Sequence, residues 1–472
     1  MSTSEQRCWR FPTILKAVGT SLQPGRLIIG LLVVTVLMLG GQVWDGIAPA
    51  TVSPRGLEAG AFVKHSLDEQ GVLRKAVRRW GSEDLAADAP TPSASAVLGI
   101  LAEARAKAAG SDDGADAITA IDRTIKQVES IRPRGAFGAS LQVLSDNLDR
   151  FVAGATHASP SEVYDALAGT FYRLPSGLWH AGQCWFMWIY GLFFLLVVGI
   201  GGGALSRMEA CLASAEERLS MRAALQHSMD HWWSFWMALV IPLLLSAVVC
   251  GVLLLIGLIG FSIPVVNILV GLLYGLALLL GFLLVFLLLG YIVGGVLLVP
   301  AVAVEHCDGG DAMQRTWAYF LNKPLHMLGY LVTGLVGLIL GLLVIQTVAL
   351  LTVQWTAEIV GAATFNDVFA EAGRFDSVFS GGVDGAGGSG DSAWTTLWSA
   401  GLVSVWAMLV WYLVAGWIFS YVMAASTRIY LLMRRACDGQ DEHYIWWPGL
   451  VPGTLSDVPG SVHVAEENEL EH

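Results

Sequence analysis

Histidines placed close to acidic residues are the first candidates for chemistry in this chain. His227, Asp230 and His231 form an H-x-x-D-H pattern. Because positions i and i+4 of a helix share one face, the two imidazoles could bind one metal ion. Some zinc proteases use the related order H-x-x-E-H, but here Asp replaces the longer Glu and the sequence names no third ligand. A solvated helix face therefore explains the pattern better than a metal site.

A second group holds four consecutive potential ligands, namely Glu305, His306, Cys307 and Asp308. Four neighbours in sequence cannot all converge on one ion without a tight loop. Two glycines follow them, so the end of a helix, a turn and the N-cap of the next helix account for these residue types. We therefore do not predict a metal site here either.

The cysteines and the other motifs give no further site. His180 and Cys184 are four residues apart, but Trp185 and Trp188 beside them favour an anchor at the membrane interface. None of the six cysteines lies in residues 47–182, which excludes a disulfide framework there, and the chain has no CxxC pair. It also lacks a Walker motif, a nucleophile elbow and a complete zincin motif. We therefore predict a non-enzymatic protein with no catalytic, cofactor-binding or metal-binding residues and no cofactor.

The element that decides the class of protein is the apolar stretch 231–304. It contains no Asp, Glu, Lys or Arg, whereas about a quarter of the residues in an ordinary chain are charged. A charge at the centre of a bilayer costs at least about 2.5–3.5 kcal/mol, so this stretch is typical of a multi-pass membrane protein. The net charge of −12 argues against a nucleic-acid partner.

The predicted fold is an all-α polytopic membrane helix bundle with six spans. The spans are about 27–46, 183–205, 233–259, 265–298, 327–351 and 397–424. The fourth is overlong for one perpendicular crossing of a hydrocarbon core about 30 Å thick. It is tilted, bent near Gly281 or Gly290, or extended past the membrane, and a split into two spans is the alternative. The first span is interpreted as an uncleaved anchor, although Ala48, Pro49 and Ala50 resemble a cleavage site.

The basic residues predict the orientation. Four Lys and Arg residues lie in 1–26, three in 204–233, two in 305–325 and three in 425–440, whereas the opposite flanks carry only Arg55, Arg173 and Arg374. Positive residues mark the cytoplasmic side of short loops. Splitting the fourth run would place later basic segments outside, so six spans fit better. We predict a protein of the inner (cytoplasmic) membrane with both termini in the cytoplasm.

The polar segments complete the domain organisation. The largest is an extracytoplasmic helical domain at 47–182, where Ile118, Ile121, Ile125 and Val128 recur on one helical face. Its predicted helices are 57–79, 94–109, 115–131, 136–153 and 162–172, with an acidic loop at 81–92. The remaining segments are the cytoplasmic N-terminus 1–26, the bundle core 183–351 with interfacial helices 206–230 and 311–325, the acidic Gly-rich extracytoplasmic loop 352–396 with a tether at 381–390, and the cytoplasmic tail 425–472 with a disordered acidic end.

Three sequence pieces resemble those of a family of uncharacterised, planctomycete-type bacterial multi-pass membrane proteins. They are GGGALSRMEA at 201–210, LSMRAAL at 219–225, and PAVAVE at 300–305 continuing to DAMQRT at 311–316. The last piece is also loosely similar to Yip-type proteins and to membrane domains of glycerophosphodiesterases, but the metal-binding signature of those hydrolases is not visible. The resemblance implies a multi-pass membrane fold and transfers no activity.

Two functions fit these observations. The first is a non-enzymatic membrane scaffold or organiser, with membrane lipids and a homo-oligomer or another membrane protein as partners. The alternative is a passive channel or transporter for a neutral or lipid-like solute that uses a glycine-lined bundle. The pairs Gly271/Gly275, Gly290/Gly294 and Gly337/Gly341 have the small-xxx-small spacing that predicts close helix packing within the fold or between protomers. Because no span holds a central carboxylate, Lys or Arg, an ion-coupled transporter or proton pump is disfavoured.

Overall fold

The described part of the chain is almost entirely helical. A computed structural model describes residues 11–48, 51–59, 65–80, 93–109, 114–157, 159–263, 266–364, 368 and 394–447. Within these residues there is no β-strand, and the one extended pairing is an isolated antiparallel bridge between Val52 and Arg134. The acidic loop predicted at 81–92, the tether at 381–390 and the acidic end of the tail lie outside the described residues.

Seventeen α-helices are numbered here in chain order within that described part. They are α1 Phe11–Thr20, α2 Pro24–Ile47, α3 Pro54–Ala59, α4 His65–Trp80, α5 Ala94–Ala109, α6 Gly114–Ile131, α7 Ala136–Thr156, α8 Pro160–Ala168, α9 Leu174–His180, α10 Gly191–Ala215, α11 Met221–Asp230, α12 Trp232–Leu255, α13 Val266–Leu272, α14 Tyr274–Glu305, α15 Gly309–Asn322, α16 Pro324–Ala362 and α17 Trp394–Asp438. Three π-helical segments, Gly169–Arg173, Phe186–Tyr190 and Ile256–Phe261, continue some of them.

Six of the helical stretches are long and apolar enough to cross a membrane. They are Pro24–Ile47, Phe186–Ala215, Trp232–Phe261, Tyr274–Glu305, Pro324–Ala362 and Trp394–Asp438. The predicted all-α bundle with six spans is therefore confirmed. The overlong fourth run resolves into α13 and α14, which are separated at Leu273. Since the seven residues of α13 rise only about 10 Å, they do not form a separate span.

Two helices, α10 and α17, extend beyond the predicted second and sixth spans. They therefore include the first residues of predicted interfacial helix 206–230 and of the predicted tail. Predicted interfacial helix 206–230 is not one helix, because α10 continues to Ala215 and α11 begins only at Met221, after a Ser220 cap. The residue that follows α10, Glu216, has a left-handed φ of 57°. The predicted tail likewise begins inside α17, which continues to Asp438. The second predicted interfacial helix, 311–325, corresponds to α15.

The chain forms two compact units. Unit 1 contains Met1–Val36, Leu192–Val348 and Tyr412–His472, and unit 2 contains Leu37–Gly191 and Ala349–Trp411. In unit 1 the burial is concentrated at one end of the helices, where nearly all side chains from the end of α10, the end of α14 and the second half of α17 are buried. We call this region the polar end, because buried charged residues also lie there.

Glycines let the helices of unit 1 approach closely near this core. A Cβ atom on Gly30 of α2 would lie 2.2 Å from the carbonyl oxygen of Gly416 on α17. A Cβ on Gly337 or Gly341 would collide with Tyr421 or Trp417 in the same way. These glycines therefore serve helix packing, whereas Gly271 and Gly275 have no neighbour within 4 Å of an added Cβ.

Unit 2 includes the helices of the predicted insert. Its first apolar cluster contains Val52, Leu57, Val143 and Phe186. A second cluster joins α4, α5 and α6, and the predicted face of α6 is buried there through Ile121 and Val128. Asp45 accepts hydrogen bonds from the backbone N–H groups of Phe137 and Gly138 at 2.9 and 2.8 Å, which stabilises the start of α7.

Candidate functional site

The first feature of the polar end is a buried carboxylate shared by two arginines. Glu209 of α10 accepts hydrogen bonds from Arg26 of α2 and from Arg428 of α17. All three side chains are at most 7% exposed. Arg428 also donates to the carbonyl oxygen of Thr13 at 3.1 Å. The sequence predicts these charges in the cytoplasmic N-terminus, in interfacial helix 206–230 and in the cytoplasmic tail, whereas the structure makes them a joint between three helices.

A second buried carboxylate lies at the end of α14. Glu305 accepts a hydrogen bond from the hydroxyl of Tyr430 and forms an ion pair with Arg315 at 2.5 Å. Glu305 is 1% exposed, whereas Arg315 on α15 remains about one-third exposed. Glu305, the acidic residue that opens the run 305–308, therefore has structural partners on two other helices.

A short C-terminal segment is fastened to the same end of unit 1. We call residues 439–447 the C-terminal strap. The N–H of Trp446 donates to the carbonyl oxygen of Val304 at 2.8 Å, and Arg207 donates to the carbonyl oxygens of Trp446 and Ala303 at 2.8 and 3.0 Å. The Arg207 guanidinium also lies within 6 Å of the rings of Trp446 and Trp447. The hydrogen bonds and cation–π contacts hold the strap against α10 and α14.

Three histidines meet beside the strap. His227 lies on α11, His231 lies between α11 and α12, and His306 directly follows α14. One ring nitrogen from each lies within 4.8 Å of the other two, and among the described residues this is the one such group of three or more potential metal ligands. The rings of His231 and His306 are closest, with centroids 4.0 Å apart.

The ring nitrogens of His227 and His231 differ in their hydrogen bonding. Nδ1 of His231 lies 2.9 Å from the carbonyl oxygen of His227. Since a carbonyl can only accept, Nδ1 carries the proton in this contact, and Nε2 keeps its lone pair. Nε2 of His227 is buried and has no hydrogen-bond partner in the described structure. A buried polar atom without a partner requires an explanation.

His306 is held in an unusual backbone conformation. Its φ and ψ are 55° and 38°, the left-handed region, and its N–H donates to the carbonyl oxygen of Val302 at 2.8 Å. Glycine or asparagine is the usual residue at such a helix end. The imidazole stacks on Trp446, with centroids 3.8 Å apart and planes 9° from parallel. The strap thus covers one face of the cluster.

The environment keeps two of these imidazoles neutral. Burial lowers the pKa of His227 to about 3, and the charge of Arg207 and the other two histidines act in the same direction. Burial, followed by His231 and Arg207, lowers the pKa of His306 to about 4. Neutral imidazole is the form that binds metal ions.

The structure brings together residues from two sequence patterns that are far apart in the chain. His227 and His231 come from H-x-x-D-H, while His306 comes from the run of four ligands and supplies the third imidazole that the sequence could not name. Asp230 is exposed. Asp308 accepts from the N–H of Asp311 at 2.8 Å, so its predicted role as an N-cap is confirmed.

The other predicted pair has local partners. Nδ1 of His180 lies 2.7 Å from the carbonyl oxygen of Ser176, and Sγ of Cys184 lies 3.9 Å from the carbonyl oxygen of Trp179. His180 is exposed. His180 and Cys184 belong to unit 2, whereas the three histidines belong to unit 1.

These features define a multi-pass integral membrane protein that carries a candidate metal centre. Comparison of the chain with family models, with curated proteins and with solved structures finds no match. The resemblance to planctomycete-type membrane proteins stays a prediction.

Proposed function

We propose that this protein is a non-enzymatic scaffold or organiser of the inner membrane. The observation that carries the proposal is an apolar arm formed by residues 250–263 and 266–286, which include the end of α12, the π-helical segment Ile256–Phe261, α13 and the start of α14. Among the described residues of the arm, Gly260 alone is buried. The arm contains no charged residue.

The two sides of the arm contact each other and leave the outer surfaces open. The rings of Phe261 and Tyr274 meet edge to face with centroids 6.2 Å apart. Exposed fractions reach 69% at Leu258, 75% at Ile268 and 81% at Leu272. An apolar surface of this kind requires lipid chains or another protein to cover it. We therefore assign it the contacts with lipid and with a second copy or another membrane protein.

The buried charges support a structural function for the polar end. The carboxylates of Glu209 and Glu305 bind arginines or a tyrosine of neighbouring helices. Because they hold helices together, they are poorly suited to acid–base work on a substrate. The alternative, a passive channel or transporter for a neutral or lipid-like solute, has less support, since Gly337 and Gly341 face the rings of Tyr421 and Trp417.

Cysteine crosslinking in native membranes tests the scaffold proposal. In a variant without native cysteines, Leu272→Cys places the probe on the arm, and Leu340→Cys places a matched probe on another exposed apolar surface of unit 1. We expect Leu272→Cys to give a discrete crosslinked dimer or a crosslink to a membrane protein in excess over Leu340→Cys. Equal, trace crosslinking at both positions would remove the basis of the proposal.

The orientation follows from the basic residues and has its own test. Arg26, Arg207 and Arg428 lie at the polar end, so we propose that this end faces the cytoplasm. A cysteine at Asp311, at the start of α15, should then resist a membrane-impermeant thiol reagent in intact cells and react after lysis. A cysteine at Arg173 serves as the opposite control. Labelling at residue 311 in intact cells would reverse the topology.

A further inference from the structure

We infer that His227, His231 and His306 bind one divalent transition-metal ion, with Zn²⁺ as the ion that best fits the three nitrogen ligands. This inference is independent of the scaffold proposal, since it concerns the polar end and not the arm. It rests on the meeting of three imidazoles from two separate chain segments within 4.8 Å and on the environment of their nitrogens.

The geometry is close to that of a three-histidine site. Zn–N bonds of about 2.0–2.1 Å place two ligand nitrogens of a tetrahedral site about 3.3 Å apart. The three nitrogens lie at most 4.8 Å apart in the structure. Rotations of the rings and shifts of about 1 Å would bring them to the spacing of a tetrahedral site. The rings of His231 and His306 are in contact, with centroids 4.0 Å apart, and the ring of His227 on α11 lies 5.0 and 5.6 Å from them.

The nitrogens themselves indicate a ligand. Nε2 of His227 is buried without a hydrogen-bond partner in the described structure, so a metal ion would supply the missing interaction. The contact from His231 Nδ1 to the His227 carbonyl oxygen fixes the ring and leaves Nε2 available. Such a hydrogen bond to the second ring nitrogen is the usual arrangement of metal-bound histidine. The left-handed His306 adds a backbone cost that a binding role would justify.

The ligand set selects among metals. Three imidazole nitrogens suit Zn²⁺, Cu²⁺, Ni²⁺ or Fe²⁺, whereas Mg²⁺ and Ca²⁺ require oxygen ligands. Cys307 is adjacent in sequence, but its buried Sγ contacts the carbonyl oxygen of Ala301 at 3.7 Å and is not part of the group of three ligands. We therefore do not assign it as a ligand. The fourth position of the metal is left to water or to an external ligand.

The location assigns the ion a fastening role. His227 and His231 belong to the α11–α12 junction, while His306 ends α14 and stacks on Trp446 of the strap. One ion would therefore tie two chain segments, and indirectly the strap, to one another. The nearby guanidinium of Arg207 opposes a bound cation, but it donates to backbone carbonyl oxygens of Ala303 and Trp446 that partly offset its charge.

Metal titration of the full-length protein without a His tag tests the inference. Co²⁺ serves as the spectroscopic probe for Zn²⁺, because Co²⁺ in a tetrahedral site absorbs visible light. We expect one Co²⁺ per chain, displaced by one Zn²⁺. His306→Asn keeps a residue that tolerates the left-handed region but removes the imidazole, and His227→Gln removes a second ligand. Each should weaken Zn²⁺ binding at least tenfold, by the scale seen for altered metal shells.

The matched control is His180→Gln, because His180 is an exposed histidine in unit 2. It should bind Co²⁺ and Zn²⁺ as the unaltered protein does. Helical circular dichroism of each metal-free variant confirms the fold, and His231→Gln replaces any variant that fails this check. Absence of stoichiometric Zn²⁺ binding by the unaltered protein would overturn the inference. Binding that survives loss of His306 and His227 unchanged would overturn it equally.

Discussion

The joint formed by Arg26, Glu209 and Arg428 gives the sharpest stability prediction. Glu209→Gln keeps the size of the side chain but removes the negative charge that two buried guanidiniums share. The new amide also turns an N–H donor toward groups that are themselves donors. The variant therefore leaves two buried cations without their counter-ion.

The expected loss in the free energy of unfolding is about 3–5 kcal/mol, the range for removing one partner of a buried ion pair. The upper part of this range applies, because Glu209 is fully buried and both arginines are at most 7% exposed. Glu217→Gln is the matched control, since Glu217 is exposed and lies eight positions further along unit 1. It should change the free energy of unfolding by less than about 0.5 kcal/mol.

The free energy of unfolding of both variants is measured by equilibrium unfolding in mixed micelles with increasing SDS. The fluorescence of the 18 tryptophans reports the fraction unfolded. A triple variant, Arg26→Met, Glu209→Leu and Arg428→Met, separates charge from packing. It should cost less than Glu209→Gln, because apolar replacement of a whole buried ion network is often neutral or stabilising. A loss below about 1 kcal/mol for Glu209→Gln, or a larger loss for the triple variant, would refute this reasoning.

Two further predictions concern packing and pH. Gly30→Ala should lower the free energy of unfolding by about 1–3 kcal/mol, because the added methyl meets the Gly416 carbonyl oxygen; Gly275→Ala, with open space around it, is the control in the same SDS titration, and equal effects would contradict the packing argument. Burial, and then Glu58, raise the pKa of Asp146. The folded unit 2 thus binds this proton more tightly than the unfolded chain, and its stability falls as pH rises through the shifted pKa. Asp146→Asn should therefore raise the thermal midpoint at pH 7, with a gain that shrinks towards about pH 4, and a gain independent of pH would contradict the assignment.

The helical class and the six spans were predictable because they depend on local composition. The charge-free stretch 231–304 and the periodic face of α6 are signals that a single segment carries by itself. The exact ends of the helices were harder to predict from the sequence. The sequence predicts residues 206–215 as part of an interfacial helix, but tertiary partners allow Arg207 and Glu209 to be buried in the helix of the second span.

The histidine cluster could not be found from spacing alone. His227 and His231 are local neighbours, but His306 is 75 positions beyond His231 (306 − 231) and reaches them only after α12 and α14 have paired. The strap could not be predicted from the sequence either, because no periodic pattern in 439–447 indicates the hydrogen bond from Trp446 to Val304. The sequence does carry one signal for the cluster. Both H-x-x-D-H at 227–231 and the run 305–308 contain a histidine beside the end of an apolar helix.

The joint between α2, α10 and α17 has a consequence for how the protein is made. Arg26 and Arg428 are 402 positions apart in the chain (428 − 26), yet they share one carboxylate. At a synthesis rate of about 5–20 residues per second, Arg26 emerges roughly 20–80 s before Arg428 exists. Once Glu209 itself has been made, 219 residues remain before Arg428 (428 − 209), and until then Glu209 has only one of its two cations. The unfinished chain in the membrane therefore contains an incomplete charge group until the last span is synthesised. A ribosome stalled before α17 would leave a chain with this incomplete charge group, which membrane quality control can recognise.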